Sequence, residues 1–401
     1  MPFSSSGMEK AFFYFEWVNA MKWNSFVAFM SIAAIPQLVC SQVTTYQYPF
    51  DVPTDPRSVA MGESFVAVRG NAAALEENPA GLAALTGLRT SYGHRTMDWI
   101  SFFADFNYHA FSISAETPLG VFAASYARFT EGTQQVSSFP TAADPVMHQG
   151  EIESYQHAVV LGFGTSIMNR LEAGIEAKYF DDMHLVTGLP AGVSPVPSTT
   201  PAYLFDVGLL YTVSGISDQV GSADALTFGA SVQNIGTKLI YSGTSYSLQQ
   251  AYAQPLPSYF RLGVSYSYTM LPNGIHRLSP FQALITAEYR NTLNLDSQQD
   301  QGRAFWGSGL ECTLFEVISL RGGGVVMPFT SVYGRREKVA YRYGAEIHFP
   351  LEKLGIPAPL IVSAGYSAIP LVKLDVSSVF PMDRVTFDVF SFEVRSTVGL
   401  W

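Results

Sequence analysis

Apolar and polar residues alternate along most of the chain from Leu88 to the C-terminus. The stretch LEAGIEAKYF (171–180) places leucine, alanine, isoleucine and tyrosine on one face and glutamate, glycine and lysine on the other. Such alternation predicts β-strands with one apolar face and one polar face. The same pattern recurs in residues 226–234, 260–268, 281–290 and 339–349.

The alternation divides the chain into roughly fourteen predicted strands, joined by connections of two kinds. Tight turns are predicted at 117–119, 169–170 and 315–316, and long loops at 132–152, 186–202, 241–257 and 369–383. An even number of strands would leave both ends of the sheet on the side of the tight turns. The predicted strands lie at about 88–95, 104–116, 120–131, 153–168, 171–185, 203–214, 224–240, 258–270, 279–293, 303–314, 317–327, 338–349, 359–368 and 384–400.

Composition helps to decide what the apolar faces contact. Only 14% of the 401 residues are charged and 14% are aromatic, whereas ordinary globular proteins carry about 25% charged residues. No internal stretch reaches the roughly 20 continuous apolar residues of a membrane helix. We therefore predict an all-β fold, a closed antiparallel transmembrane β-barrel of about 14 strands. The alternative is a large soluble β-sandwich or a secreted propeller.

The N-terminal region has the features of an export signal. Residues 21–42 begin with Lys22 after Met21, continue through an apolar core and end in Cys40-Ser41. This pattern predicts a secretory signal peptide cleaved after Ser41, with lipidation of Cys40 as the alternative. We interpret residues 1–41 as an upstream extension plus this signal peptide.

A small alanine-rich patch, NAAALEENPAGLAAL (71–85), differs from everything that follows it. Alanine, leucine and glutamate favour helix, and Pro79 prevents one helix from continuing through the patch. The patch therefore predicts a short helix, a break and a second short turn.

The region around this patch resembles the N-terminal pattern of the FadL-like outer-membrane superfamily, and most of all its PorV/PorQ members. The resemblance is carried by residues 60–62 (AMG), 65–68 (FVAV), 73–75 (AAL) and 78–82 (NPAGL). It implies a fourteen-stranded barrel whose N-terminal segment folds into the lumen as a hatch. We therefore expect a hatch over residues 42–87 and the barrel over residues 88–401.

Two sets of residues are the candidates for function. The first is the hatch motif, in which Asn78 can bond exposed wall groups, Pro79 fixes the break and the glycines allow tight bends: Gly62, Asn78, Pro79, Ala80 and Gly81. The second lies on the polar faces of the strands. It forms either a ladder of mutually paired charges or a lumen that contacts the hatch or a solute: Glu172, Glu176, Lys178, Asp206, Arg261, Glu288, Arg290, Arg342, Glu346 and His348.

No catalytic, cofactor or metal-binding signature stands out, and a net charge of −10 makes nucleic acid an improbable partner. The resemblance implies a non-enzymatic protein of the bacterial outer membrane, in contact with its lipid. Two roles follow from it. The first is a PorV/PorQ-type part in type IX-like secretion, binding secreted cargo or apparatus proteins at the extracellular rim. The alternative is a FadL-like passive channel for hydrophobic small molecules.

Overall fold

The structure is a computed structural model that describes most of the chain beyond the N-terminal region. The described residues are 53–71, 73–96, 107–137, 149–188, 198–217, 219–242, 252–272, 277–293, 304–331, 334–370 and 386–398. The predicted signal peptide (1–41) and the terminal Trp401 lie outside them, as do parts of the four predicted long loops.

The described chain contains three short helical elements followed by strands. Helix α1 spans Pro56–Ala60, helix α2 spans Ala74–Glu77, and a 3-10 helix spans Pro79–Ala84. None of the helices in the described ranges is long and apolar enough to cross a membrane. The strands are β1 Leu88–Thr96, β2 Asn107–Thr117, β3 Gly120–Ser137, β4 Gln149–Met168, β5 Leu171–Thr187, β6 Ser198–Thr200, β7 Ala202–Ser214, β8 Ser222–Gly236, β9 Leu239–Ser242, β10 Tyr252–Gln254, β11 Tyr259–Met270, β12 Phe281–Thr292, β13 Ala304–Leu314, β14 Ile318–Ser331, β15 Gly334–Pro350, β16 Leu360–Pro370 and β17 Thr386–Ser396.

Fourteen of these strands form a closed antiparallel barrel, so the predicted fold is confirmed. Each strand pairs with the next barrel strand along the chain, and β1 closes the barrel by pairing with β17, with Arg89 opposite Arg395. Both ends of the barrel sheet therefore lie at one rim, together with the tight turns at 118–119 and 169–170. We call this the short-turn rim, and the opposite one the long-loop rim.

The two faces of the wall have opposite character. Along β7 every second side chain is exposed from Tyr203 to Tyr211, whereas Asp206, between them, is 1% exposed. Large apolar side chains outside and buried charges inside reverse the distribution of a soluble protein. This is the arrangement of a barrel whose outer face meets hydrocarbon, and it points to the bacterial outer membrane.

The predicted strand at 224–240 is wrong in its second part. Strand β8 ends at Gly236, and residues 239–242 form β9, which belongs to a separate three-stranded sheet with β6 and β10. Asn234 has a left-handed backbone (φ 58°), and its side chain donates to the carbonyl of Pro257 at 2.8 Å. The strand bends there, although the alternation of residues continues.

Helix α1 is a second difference, because the sequence predicts no helix outside residues 71–85. Asp55 caps it by accepting a hydrogen bond from the backbone N–H of Ser58 at 3.1 Å, and Pro56 occupies its first position. Both are ordinary signals of a helix start, which the five-residue length makes easy to overlook.

The outward position of Val207, near the middle of β7, yields a test of the membrane-facing surface. Val207→Arg should destabilise the barrel by roughly 2–4 kcal/mol, as measured for arginine at the bilayer midplane. Urea unfolding in lipid vesicles would measure the loss. Val220→Arg, at a fully exposed residue in the turn between β7 and β8, should leave stability unchanged. Equal effects of the two variants would contradict a lipid-facing β7.

Candidate functional site

The described residues that precede β1 lie against the inner face of the wall. We call the described residues 53–71 and 73–87 the luminal segment. Its contacts with the wall extend around much of the barrel, including β1, β4, β5, β7, β8 and β11 and β13–β16. The segment runs directly into β1 at Leu88, so it is attached at the short-turn rim.

Local sequence explains how the segment folds. Helix α2 occupies Ala74–Glu77, and Pro79 begins the 3-10 helix, so the predicted break is present. Between the two lies Asn78, whose side chain accepts a hydrogen bond from the N–H of Ala80 at 3.0 Å and thereby caps the 3-10 helix. Gly62 (φ 68°) and Glu63 (φ 53°) both have left-handed backbones, which form a tight turn after α1.

Asn78, a residue of the predicted motif, joins the segment to itself and to the wall. Its Nδ2 donates to the carbonyl of Val66 at 2.6 Å, and longer contacts of 3.3 and 3.4 Å reach the carbonyls of Leu209 and Ala230. Asn78 is 1% exposed, and burial without hydrogen bonds would be costly for its amide. The wall residue that faces Asn78 is Gly208, and a Cβ added to Gly208 would overlap the Asn78 side chain.

Glycines of the wall form the surface on which the segment rests. A Cβ added to Gly174 would lie 2.5 Å from the backbone nitrogen of Ala80, and one on Gly309 would lie 2.5 Å from the Cβ of Met61. Real Cβ atoms do not approach other atoms so closely, so any side chain there would displace the segment. Similar contacts occur at Gly164, Gly229, Gly263, Gly307, Gly323 and Gly344.

Ion pairs hold the segment at several points, the most buried being Glu77 with Arg261. Both side chains are less than 5% exposed, and Arg261 Nε also donates to Glu288 at 2.6 Å. The second oxygen of Glu288 accepts hydrogen bonds from the backbone N–H groups of Phe65 and Val66, each at 2.8 Å. Two of the predicted luminal residues, Arg261 and Glu288, are thus bound to the segment.

Glu63 makes the second contact, with two arginines of the wall. It pairs with Arg342 and, at 3.1 Å, with Arg290. Burial opposes ionisation of Glu63, but the charges of Arg342 and Arg290 outweigh it and lower its pKa to about 2. The Glu63 carboxylate therefore stays charged in the folded protein at every physiological pH.

Two further pairs complete the set. Arg57 forms two hydrogen bonds with Glu311, at 2.7 and 2.8 Å, and Arg69 binds Glu172 in the same bidentate manner, with Nε at 2.8 Å from Oε2. Bidentate arginine–carboxylate pairs fix orientation as well as charge. They position the segment on opposite sides of the lumen, at β13 and at β5.

The other predicted luminal residues bond within the wall. Lys178 lies 2.6 Å from Asp206 and 3.7 Å from Glu176. Glu346 binds Arg321, and His348 lies between the hydroxyls of Ser319 and Ser363 at 2.9 and 2.8 Å. Of the two alternatives for the polar faces, the structure thus contains both a paired ladder and contacts to the segment. In the described ranges no group of three histidine, cysteine or acidic residues could hold a metal ion.

Sequence reasoning missed several wall residues that bind the segment or its partners. Glu311 and Arg321 were not among the predicted residues, although Glu311 shares its face with Gly307 and Gly309 and could have been found by the same alternation. Glu63 and Arg57 were missed as well, because their partners lie 279 and 254 residues away. No local pattern reveals such a pairing.

An apolar cluster covers one side of the lumen, at β4, β5 and β7, towards the long-loop rim. The three-stranded sheet contributes Leu239 and Tyr241, which pack on inward residues of β4, β5 and β7. The hydroxyl of Tyr241 donates to Asp182 of β5 at 2.6 Å, which fixes the sheet to the wall. The remaining members of the cluster are Ala158, Phe180, Ala202, Leu204 and Leu256.

A cavity of about 280 Å³ lies between the luminal segment and the wall. Its lining residues include Pro350 and Arg395 at the short-turn rim, and Ala127 and Ala158, which belong to or pack on the apolar cluster. The cavity is charged at the rim and mixed near the cluster, where Ala127, Ala158 and Val160 line it together with Lys178 and Asn234. It therefore has the two-sided lining that suits a molecule with both polar and apolar parts.

Comparison with known proteins finds similarity at the level of structure only. No protein-family model matches the chain, and no curated protein sequence matches it significantly. Similar solved structures include the Pseudomonas putida toluene transporter TodX (12% identity, TM-score 0.42, covering 86% of this chain and 98% of that one). A Pseudomonas aeruginosa FadL homologue has 12% identity and TM-score 0.44, covering 90% of this chain and all of that one. The CymD monoaromatic hydrocarbon channel has 9% identity and TM-score 0.40, covering 86% and 97%. The closeness to PorV/PorQ proteins rests on the N-terminal motif alone.

The lowered pKa of Glu63 predicts a specific loss of stability in acid. A group whose pKa is depressed in the folded state stabilises it above its unfolded pKa, so this contribution should disappear as the pH falls from 4.5 through about 2. Glu63→Gln should destabilise the protein at neutral pH by roughly 3 kcal/mol, since it leaves two buried arginines unpaired. It should also flatten the acid limb of a stability–pH curve measured by denaturant unfolding in detergent.

The control is Glu352→Gln, in the exposed turn between β15 and β16. This variant should retain the stability and acid limb of the unmodified protein. If Glu63→Gln kept them too, the ion pairs of Glu63 would not hold the segment.

The glycine surface predicts a variant that frees the segment without unfolding the barrel. Gly174→Val should push the segment off the wall, so that trypsin cleaves at Arg57 or Arg69 while the barrel keeps its resistance to unheated SDS. Gly322→Val is the matched control, because a Cβ there has nothing within 4 Å. A segment equally protected in both variants would show that the close approach at Gly174 is unimportant.

Proposed function

We propose that the protein is a passive, non-enzymatic channel of the bacterial outer membrane for small hydrophobic or weakly polar molecules. The observation that carries this proposal is the cavity between the luminal segment and the wall. It reaches the short-turn rim at one end and the apolar cluster at the other. A molecule arriving from the long-loop rim would first meet apolar side chains and then the polar half of the lumen.

The fixed charges of the lumen support selection against ions. Those that bind the segment are matched in pairs, such as Glu77 with Arg261 and Arg57 with Glu311. A dissolved ion would lose hydration in the narrow lumen, where the charges of these described pairs already compensate each other, which is unfavourable. An uncharged molecule loses much less on leaving water.

We further propose that residues 42–87 act as the hatch of this channel, with the barrel over residues 88–401. The described part, from residue 53 onwards, lies inside the wall and is attached to it at β1. Its contacts with the wall glycines are between small groups, and its stretches 53–55 and 73–76 form no ion pair with the described wall residues. Both properties favour a segment that can shift while the barrel stays intact.

The secretion role remains a prediction from the N-terminal motif. No contact among the described residues favours a cargo-binding surface, and stretches of the long loops that would carry one lie outside them. We therefore place the passive channel first.

Solute flux into vesicles tests the proposed function. The purified protein should accelerate entry of uncharged probes. Benzyl alcohol should enter faster than a sugar of similar size, because the apolar cluster lies towards the long-loop rim. Light scattering in vesicle swelling, with empty vesicles as the baseline, would measure the rates. Val220→Arg serves as the control protein, since this change lies outside the lumen. Flux no faster than in empty vesicles would overturn the proposal.

A further inference from the structure

Residues from most barrel strands line the cavity, and along β1–β3 its inward side chains other than Arg89 and Tyr108 are small. Its lining includes Ser91 of β1, Ala110 and Ser112 of β2, and Ser125 and Ala127 of β3. On β2 the lining continues to Tyr108, four residues from Ser112, a distance of about 13 Å along a strand. The part of the cavity along β1–β3, which we call the passage, is thus elongated, and methyl and hydroxyl groups border it between Arg89 and Tyr108.

The luminal segment is anchored unevenly with respect to this passage. Among the described residues, its ion pairs with the wall come from Arg57, Glu63, Arg69 and Glu77. The stretches that border the passage, 53–55 and 73–76, contribute none. The wall holds residues 74 and 75 by apolar packing on β3 and β4, and Gln233 donates to the carbonyl of Glu76 at 3.2 Å. Residues 53–55 are held less firmly, by a long hydrogen bond from Arg95 to the carbonyl of Pro53 at 3.3 Å.

One internal contact holds these two stretches together. The backbone N–H of Thr54 donates to Glu76 at 3.0 Å, and the hydroxyl of Thr54 donates to the other carboxylate oxygen. Thr54 also touches β1: a Cβ on Gly93 would lie 3.1 Å from the Cβ of Thr54. Thr54 is therefore the point at which the segment narrows the passage.

The surroundings of Glu76 suit a passage for uncharged molecules. Burial raises the pKa of Glu76 to about 7, so the carboxyl is partly neutral at neutral pH. The ionisable groups that interact with it come from the segment itself and from three strands: Asp55, Glu77, Arg95, Tyr108 and Lys178.

We propose that solutes pass along the inner face of β1–β3, and that the Thr54–Glu76 contact is the latch that closes this route while the rest of the segment stays anchored. The inference rests on the proposed channel function and adds the path and its control point. Breaking the latch frees residues 53–55 to move away from Gly93. The ion pairs at β5 and β11–β15 need not break.

A pair of matched variants tests the latch. Thr54→Val removes the hydroxyl that binds Glu76 and keeps the shape of the side chain, and it should raise the flux of uncharged probes by roughly two- to tenfold, the effect of one hydrogen bond. Thr286→Val removes a comparable hydroxyl contact, to Ser64 at 2.5 Å on the opposite side of the segment. It should leave flux at the level of the unmodified protein.

Two disulfides test the path, in a background where Cys40 and Cys312 are serine. In reduced Thr54→Cys/Gly93→Cys the new Cβ at position 93 pushes residue 54 away from β1 and should raise flux. Oxidation ties residue 54 to β1 and should abolish flux, and a reductant should restore it. Oxidised Ser64→Cys/Thr286→Cys should leave flux unchanged, because it fixes a part of the segment that already stays in place. Migration in unheated SDS verifies that each barrel is folded.

The outcomes separate this inference from the proposed function. If the bridge at Thr286 blocks flux as well, the whole segment has to leave the wall and the latch is wrong. Equal flux in Thr54→Val and Thr286→Val also overturns the latch, even if the bridge at Gly93 does not form. Absence of flux in every protein, the unmodified one included, overturns the channel itself.

Discussion

Pairing of β1 with β17 is the interaction on which the rest of the structure depends. In hydrocarbon an unpaired strand edge leaves backbone groups without hydrogen bonds, at a cost of several kcal/mol for each group. The seven paired positions between Arg89–Arg395 and Arg95–Val389 remove both edges at once. Closure at fourteen strands, however, encloses more space than inward side chains can fill. Closure of the sheet thus removes the unpaired edges but leaves a wide polar lumen.

The luminal segment fills that space by two complementary kinds of contact. Where the segment's backbone meets the wall, the wall has glycine, so distances become too short for any side chain. Where charged side chains meet it, the charges are opposite, as in the chain of contacts from Ser58 through Glu77 and Arg261 to Glu288. Removing one partner would leave the other buried and charged, which is far more costly than never having had the pair. Such contacts fix one position of the segment without requiring a large apolar core.

The sequence predicts the barrel well because alternation is a local property that each strand carries by itself. Strand β5, for example, begins at the predicted Leu171 and extends two residues beyond the predicted end. The partner of a strand is not local, and so residues 239–242 keep their alternation yet join another sheet. The site is predicted in part for the same reason: Arg261 and Glu288 lie on recognisable polar faces. Their partners are Glu77 for Arg261 and the backbone N–H groups of Phe65 and Val66 for Glu288. These belong to a segment without periodicity, and only the fold brings them together.

The order of the contacts along the chain has a consequence for assembly. The segment is synthesised before every strand, yet several of its ionic partners lie on β11–β15, more than 180 residues later, with the separation from Glu63 to Arg342 reaching 279. Contacts so distant in sequence form late, since chain entropy must be lost before they become favourable. Arg57, Glu63 and Glu77 therefore remain without their charge partners until the C-terminal half is synthesised. The pairing of β1 with β17, which forms last, also encloses the segment. Insertion machinery that receives this polypeptide has to keep the luminal segment, with charged side chains that are not yet paired, on the inner side of a growing sheet.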